Sequence, residues 1–127
     1  MTRILLVDDE TLILYSPSKT LKHAGFDVTA VTTGREALRE ISASPYGIRF
    51  LDVNLPDANG LDLMETIQKD SPCTAIIIMT AVYLDENKIN FLQSRGCRYL
   101  PKPFEIDEVL AMVRDISGKQ SSAAGGV

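Results

Sequence analysis

Acidic, hydroxyl and amine side chains stand where short apolar runs break off. Asp8 and Asp9 follow Ile4-Leu5-Leu6-Val7, Asp52 follows Phe50-Leu51, Thr80 follows Ile76-Ile77-Ile78-Met79, and Lys102 follows Tyr99-Leu100-Pro101. If these runs are strands of one parallel sheet, their carboxyl ends share an edge, which is where open α/β sheets bind ligands. One such residue is weak evidence, because every strand must emerge into polar sequence somewhere. Four strand ends with complementary chemistry are much stronger. Three carboxylates about 5 Å apart repel one another by roughly 3 kcal/mol per pair at an effective dielectric near 20, and Lys102 alone does not neutralise them. The cluster therefore asks for a cation. Oxygen ligands without a neighbouring His or Cys suit Mg²⁺ or Mn²⁺ and not a structural zinc. The plainer alternative is a solvated acidic rim that binds nothing specific.

A carboxylate beside a divalent cation, an amine and a hydroxyl suits phosphoryl transfer. The metal and Lys102 would clamp the equatorial oxygens, Thr80 would donate a hydrogen bond, and a carboxylate oxygen would attack in line. Asp52 is the expected nucleophile, a single acid at the end of the middle run. Asp8 and Asp9 come as a pair better suited to holding metal and its waters.

The elements that must position these groups are legible in the alternation of apolar runs with segments of helical period, the pattern of repeated βα units. Strands are expected at Ile4–Val7, Phe26–Val31, Ile48–Leu51, Thr74–Met79 and Cys97–Leu100. Between them the periodicity predicts a helix over 10–24, with Leu14, Ser18, Leu21 and Ile13 inward and Gly25 as its stop. A second helix begins after Thr33 as N-cap and carries Ala37, Leu38 and Ile41 on one face, with Pro45 as breaker. The third is marked by Leu61, Met64 and Ile67 and ends before Ser71-Pro72. The fourth, over 84–95, has Ile89 and Leu92 inward and Gly96 at its end. The last, over 105–116, places Ile106, Val109, Leu110 and Val113 at i, i+3, i+4, i+7. Two residues sit badly. Pro17 inside the first helix predicts a kink or a late start. Arg49 falls in a strand that should be buried on both faces, so its stem should pack on the sheet with the guanidinium reaching solvent or a carboxylate.

Composition narrows the class. The 127 residues, 45% apolar and 24% charged, fit one domain of ordinary make-up. The longest apolar stretch, Ala75 to Met79, is far short of the ~20 residues of a membrane span, and the N-terminus lacks a basic-then-apolar leader, so a cytoplasmic protein is expected. A net charge of −4 argues against direct nucleic-acid binding by this domain. Cys73 and Cys97 are too few for a disulfide framework and read as buried free thiols. Residues 118–127 offer nothing to bury and read as a flexible tail or linker after a domain over 1–117.

With these residues in this order, the sequence resembles the receiver domain of two-component response regulators over residues 3 to about 117. The matching segments are Leu6-Val7-Asp8-Asp9-Glu10, Leu51-Asp52-Val53-Asn54-Leu55-Pro56-Asp57 with Gly60 after it, Met79-Thr80-Ala81, and Tyr99-Leu100-Pro101-Lys102-Pro103-Phe104. The resemblance implies a three-layer, doubly wound α/β fold: a five-stranded parallel sheet in the order 2-1-3-4-5 with helices on both faces. It implies Asp52 as phosphoryl acceptor, Asp9 as direct metal ligand, Asp8 as a ligand largely through water, and the backbone carbonyl of Asn54 as a further ligand. Thr80 matches a switch hydroxyl, Tyr99 an aromatic ring that moves in behind it, Lys102 the amine that bridges to the phosphoryl group, and Ala81 a small residue leaving access. The Lys102–Pro103 bond is expected to be cis.

The implied partners are a sensor histidine kinase or phosphotransfer protein, a downstream effector domain or protein, and a second copy in a phosphorylation-linked homodimer. The implied domain is not an enzyme beyond its own phosphorylation and dephosphorylation. Its output surface is made by the fourth helix, fifth strand and fifth helix. Gly47, Arg49, Pro17 and a turn one residue shorter between Gly96 and Lys102 depart from the family pattern. Other readings are a degenerate receiver used for docking, which would usually have lost an acid, and an aspartyl-nucleophile, metal-dependent phosphatase, which would need an acid at Asn54. A flavodoxin-like nucleotide binder would share the fold class but would need Gly, Ser or Thr where the acids stand.

Overall fold

The computed structural model describes residues 3–44, 46–70 and 75–125. Five βα units follow one another: β1 (Arg3–Val7), α1 (Thr11–His23), β2 (Asp27–Val31), α2 (Gly34–Ala43), β3 (Ile48–Asp52), α3 (Gly60–Asp70), β4 (Ala75–Thr80), α4 (Glu86–Ser94), β5 (Arg98–Pro101) and α5 (Ile106–Gly125). The strands form one 5-stranded sheet in the order β2-β1-β3-β4-β5, every pair parallel. Parallel neighbours need crossovers, and the helices supply them on both faces.

Strand periodicity sorts the core into two layers. Leu5, Val7, Leu51, Ile76 and Ile78 pack against Ala37 of α2, Leu63, Met64 and Ile67 of α3, and Leu92 of α4. Their sequence neighbours Ile4, Leu6, Ile48, Phe50, Ile77 and Met79 face the other way, onto Leu14 and Leu21 of α1 and Val109, Val113 and Ile116 of α5. Because side chains alternate at every residue, β1, β3 and β4 are apolar almost throughout, and polarity is deferred to their ends.

The helix signals act as their chemistry requires. Thr33 caps α2 by accepting from the Glu36 amide, and Asp85 caps α4 by accepting from Lys88 at 2.9 Å. Gly25 and Gly96 follow α1 and α4 with φ of 95° and 76°, a left-handed conformation that favours glycine.

Four expectations need correction. Pro17 does not delay α1, which starts at Thr11; it is buried on the inward face between Leu14 and Leu21, and its ring fills core where its missing N–H leaves one helical bond unmade. Leu38 is exposed, because only Ala37 and partly Ile41 of its face reach the sheet. α5 runs on through Gly125, past the end expected at 116; Gly118 weakens a helix without stopping it, and no proline intervenes. Arg49 is 1% exposed, its Nε and Nη1 are buried without a hydrogen-bond partner, and among the described residues no carboxylate forms an ion pair with it, so the expected exit of its side chain is not made. Cys97 is a buried free thiol, as expected. Pro45, Ser71, Pro72, Cys73 and Thr74 lie outside the described residues. Among the described residues no helix is long and apolar enough to cross a membrane.

Candidate functional site

The carboxyl ends of β1, β3, β4 and β5 meet, and the sequence-predicted groups meet with them. Asp8 leaves β1 as its amide donates to the Val31 carbonyl at the end of β2, which fixes its carboxylate at the sheet edge with no exposure to solvent. Asp52 is the last residue of β3, paired in register with Met79, and is buried. Thr80 closes β4, buried, and its carbonyl accepts from the Lys102 amide at 2.9 Å, which ties the two strand ends together. The Lys102–Pro103 peptide is cis. The Lys102 side chain lies along the floor of the site with 7% exposure.

Its amine sits between acids. Lys102 Nζ is 2.6 Å from Asp8 Oδ2, 3.5 Å from Asp52 Oδ1 and 3.8 Å from Glu10 Oε1. Burial works against the ammonium, but Asp8, then Asp52 and Glu10, outweigh it and raise the Lys102 pKa, so the amine stays charged. Asp52 is shifted the other way for a carboxylate: burial first, then the charge of Asp8, push its pKa up to about 6, against the pull of Lys102 and of the Asn54 amide at 3.4 Å.

One amine among Asp8, Asp9, Glu10 and Asp52 leaves an excess of negative charge. The ligand oxygens of Asp8, Asp9 and Glu10 lie within 4.8 Å of one another. Asp8 Oδ2, fully buried, touches Lys102 as an ion pair but makes no aligned hydrogen bond. A buried carboxylate oxygen with unused lone pairs, in an oxygen-only cluster, fits a hard divalent cation such as Mg²⁺. The Asn54 backbone lies at the mouth of the cluster in an isolated bridge to Asn59.

The remaining predicted residues divide. Thr80 Oγ1 accepts from the Val82 amide at 3.0 Å, an arrangement that leaves its hydroxyl proton to donate elsewhere. Ala81 is exposed beside it. Tyr99 is half-buried, opposite Ile78 and packed against the core under α4; among the described residues no hydrogen bond joins it to Thr80. Two features escaped the sequence reading of the site. Glu10 joins the acidic cluster, and its adjacency to Asp8-Asp9 was the available signal. Gly60 is required for space: a Cβ there would collide with the Asp52 carbonyl, so glycine lets α3 start directly beneath Asp52. A turn motif alone does not reveal that approach.

Known proteins share this arrangement. The family model described as response regulator receiver domain matches residues 4–114. The response regulator ArlR of Staphylococcus saprophyticus is 33% identical over 120 residues, covering 94% of this chain and 54% of that protein. The DNA-binding transcriptional regulator NtrC of Escherichia coli is 32% identical over 110 residues, 87% of this chain and 24% of that protein. The chain thus spans about half or less of the length of such relatives. Among solved structures, the signal receiver domain of a Luxo repressor protein from Vibrio parahaemolyticus superposes with a TM-score of 0.89 at 28% identity, covering 97% of this chain and 95% of that one. The response regulator TrrA from Thermotoga maritima, in complex with Mg²⁺-BeF, superposes with a TM-score of 0.78 at 30% identity, covering 91% of this chain and 99% of that one.

Proposed function

Because the chain belongs to the response regulator receiver domain family, we propose that it accepts a phosphoryl group on Asp52 from a sensor histidine kinase or phosphotransfer protein. The observation that carries this reading is the convergence of a buried acceptor carboxylate, a buried amine 3.5 Å from it and an uncompensated acidic cluster at one sheet edge. Asp9, Asp8 (largely through water), Asp52 and the Asn54 backbone carbonyl would hold Mg²⁺ or Mn²⁺, with Glu10 adding charge nearby. The bound cation supplies neutralising charge for the acids and for the incoming phosphoryl oxygens.

The chain's own residues do the rest. Asp52, with a pKa of about 6, is mainly ionised at neutral pH yet poorly solvated, a state that favours its attack on phosphorus. One Asp52 oxygen bonds to phosphorus as the P–N bond of the donor phosphohistidine breaks and its electron pair returns to the imidazole. Lys102 moves from pairing with carboxylates to pairing with a phosphoryl oxygen, and Thr80 turns its hydroxyl proton to another. Water later attacks phosphorus, restoring the carboxylate and releasing phosphate. The domain performs both steps on itself and turns over no separate substrate. Adding about two negative charges beside Thr80 and Lys102 shifts the population of the α4-β5-α5 surface, with Tyr99 moving in behind Thr80. That surface would engage an effector domain or protein, or a second copy of the chain.

The test is uptake of a small phosphodonor or of beryllofluoride with Mg²⁺, followed by mass and spectral change. Wild-type protein should gain one phosphoryl group or one mimic, and Asp52→Asn should gain none. Absence of uptake by wild type would sink the reading, and steady phosphate release from unrelated monoesters would replace it with a phosphatase.

A further inference from the structure

The first four amides of an α-helix have no partner within it. In α2 two are met locally: Thr33 Oγ1 accepts from Glu36 at 3.1 Å and the Thr33 carbonyl from Ala37 at 3.1 Å. The other two are met from another part of the chain. Gly34 and Arg35 donate to Asp57 Oδ1 at 2.7 Å and Oδ2 at 3.0 Å, so one carboxylate from the β3–α3 loop takes both. The contact is close as well as polar. A Cβ on Gly34 would lie 2.8 Å from the Ala58 Cβ and 3.3 Å from Asp57 Oδ1, so only glycine lets the loop sit down on the helix.

That loop is internally tied. Leu55 donates to the Ala58 carbonyl at 3.2 Å, Gly60 to the Val53 carbonyl at 2.8 Å and Leu61 to Asn59 Oδ1 at 2.8 Å, while Asn54 and Asn59 bridge across it. Its near end holds the Asn54 backbone and the amide that donates to Asp52 Oδ1. A displacement at Asp57 is therefore passed through the Leu55–Ala58 bond to the backbone beside the acceptor. From this linkage we infer that Asp57 is a positioning residue for the metal-holding backbone of the site, anchoring the β3–α3 loop to the start of α2. The inference rests on the metal-dependent reading above. The two amide bonds hold the Asp57 carboxyl below the usual carboxylate range, first through Gly34 and then Arg35, so the anchor is charged at neutral pH.

The experiment compares wild type, Asp57→Ala, Asp57→Asn and Thr33→Ala. Thr33→Ala also strips a cap from α2 but leaves the loop contacts intact, so it separates loss of helix stability from loss of the anchor. Calorimetric titration with MgCl₂ should show Asp57→Ala binding about 10-fold more weakly than wild type. Asp57→Asn, which keeps one acceptor and the side-chain shape, should fall between them. Thr33→Ala should bind as wild type does while melting at a lower temperature. In EDTA, the Leu55 and Gly60 amides should exchange hydrogen at least about fivefold faster in Asp57→Ala than in Thr33→Ala. Unchanged Mg²⁺ affinity in both Asp57 variants, or equal weakening in Thr33→Ala, would overturn the inference. Wild type that binds no Mg²⁺ would fail the metal-dependent reading first, and this role with it.

Discussion

Asp52 and Arg49 lie three positions apart on β3, both buried, and they meet opposite fates. At the carboxyl end, Asp52 faces Lys102 and shares its surroundings with Asp8, so its charge is part of a set. Toward the amino end, Arg49 stands in register with Leu5 and Ile76, inside the layer covered by α2, α3 and α4, where burial lowers its pKa and, among the described residues, no carboxylate pairs with it. Leaving water costs either ion several kcal/mol. The difference is convergence. Parallel strands bring all their carboxyl ends to one edge, so a polar residue there acquires neighbours with chemistry, whereas Arg49, three positions earlier, lies between the aliphatic Leu5 and Ile76.

Lys102→Met attacks the first half of the comparison and carries the largest expected effect. It removes the one cation between Asp8 and Asp52, so phosphoryl uptake should slow by about 10²-fold or more, measured as the rate of mass gain with a small phosphodonor and Mg²⁺. The Asp52 carboxyl should then titrate above its value of about 6, seen by carbon-13 NMR in EDTA. A rate within a few-fold of wild type would show that the amine is structural, which would bring the two ends of β3 closer together.

Asp52→Asn measures what the unanswered part of the acidic charge costs. The folded pKa is raised from 3.8 to about 6, so protonation stabilises the fold below pH 3.8 and that contribution is lost as pH rises through 6. In EDTA at pH 7 the variant should therefore be more stable than wild type, by roughly 3 kcal/mol at most, since 1.36 kcal/mol accompanies each pKa step. The gain should shrink toward zero by pH 4, read from urea unfolding across that range. A gain independent of pH would place its origin outside this carboxyl.

How far this was visible in the sequence follows the same division. The five strands, the cap at Thr33 and the stops at Gly25 and Gly96 could be read because each rests on local chemistry. The meeting of Asp8, Asp52, Thr80 and Lys102 could be read because parallel topology turns strand ends into neighbours. What depends on tertiary fit could not. Nothing local tells that Pro17 fills core, that Gly60 must clear the Asp52 carbonyl, or that Asp57 reaches α2 across 23 positions. Arg49 misled for a related reason: its long stem promises an exit to solvent, but the helices of the covering layer close that exit.

The smallest effects test the other half. Arg49→Met keeps the volume of the side chain and removes an ion with two unbonded donors. Such exchanges are often stabilising by about 1–4 kcal/mol, and a value near 2 would raise the midpoint of thermal unfolding by several degrees. Phosphoryl uptake should stay within about twofold of wild type, because Arg49 takes no part in the site. Among the described residues Tyr46 is the group that acts electrostatically on Arg49, and its hydroxyl donates to Glu40 Oε2 at 3.0 Å. Tyr46→Phe alone should cost about 1 kcal/mol for that hydrogen bond. Combined with Arg49→Met, the two effects should add to within about 0.5 kcal/mol. A larger coupling would mean that the phenol answers the guanidinium after all, and Arg49 would then have a partner as Asp52 has in Lys102. Additivity would show that the phenol does not answer the guanidinium, unlike Lys102 beside Asp52.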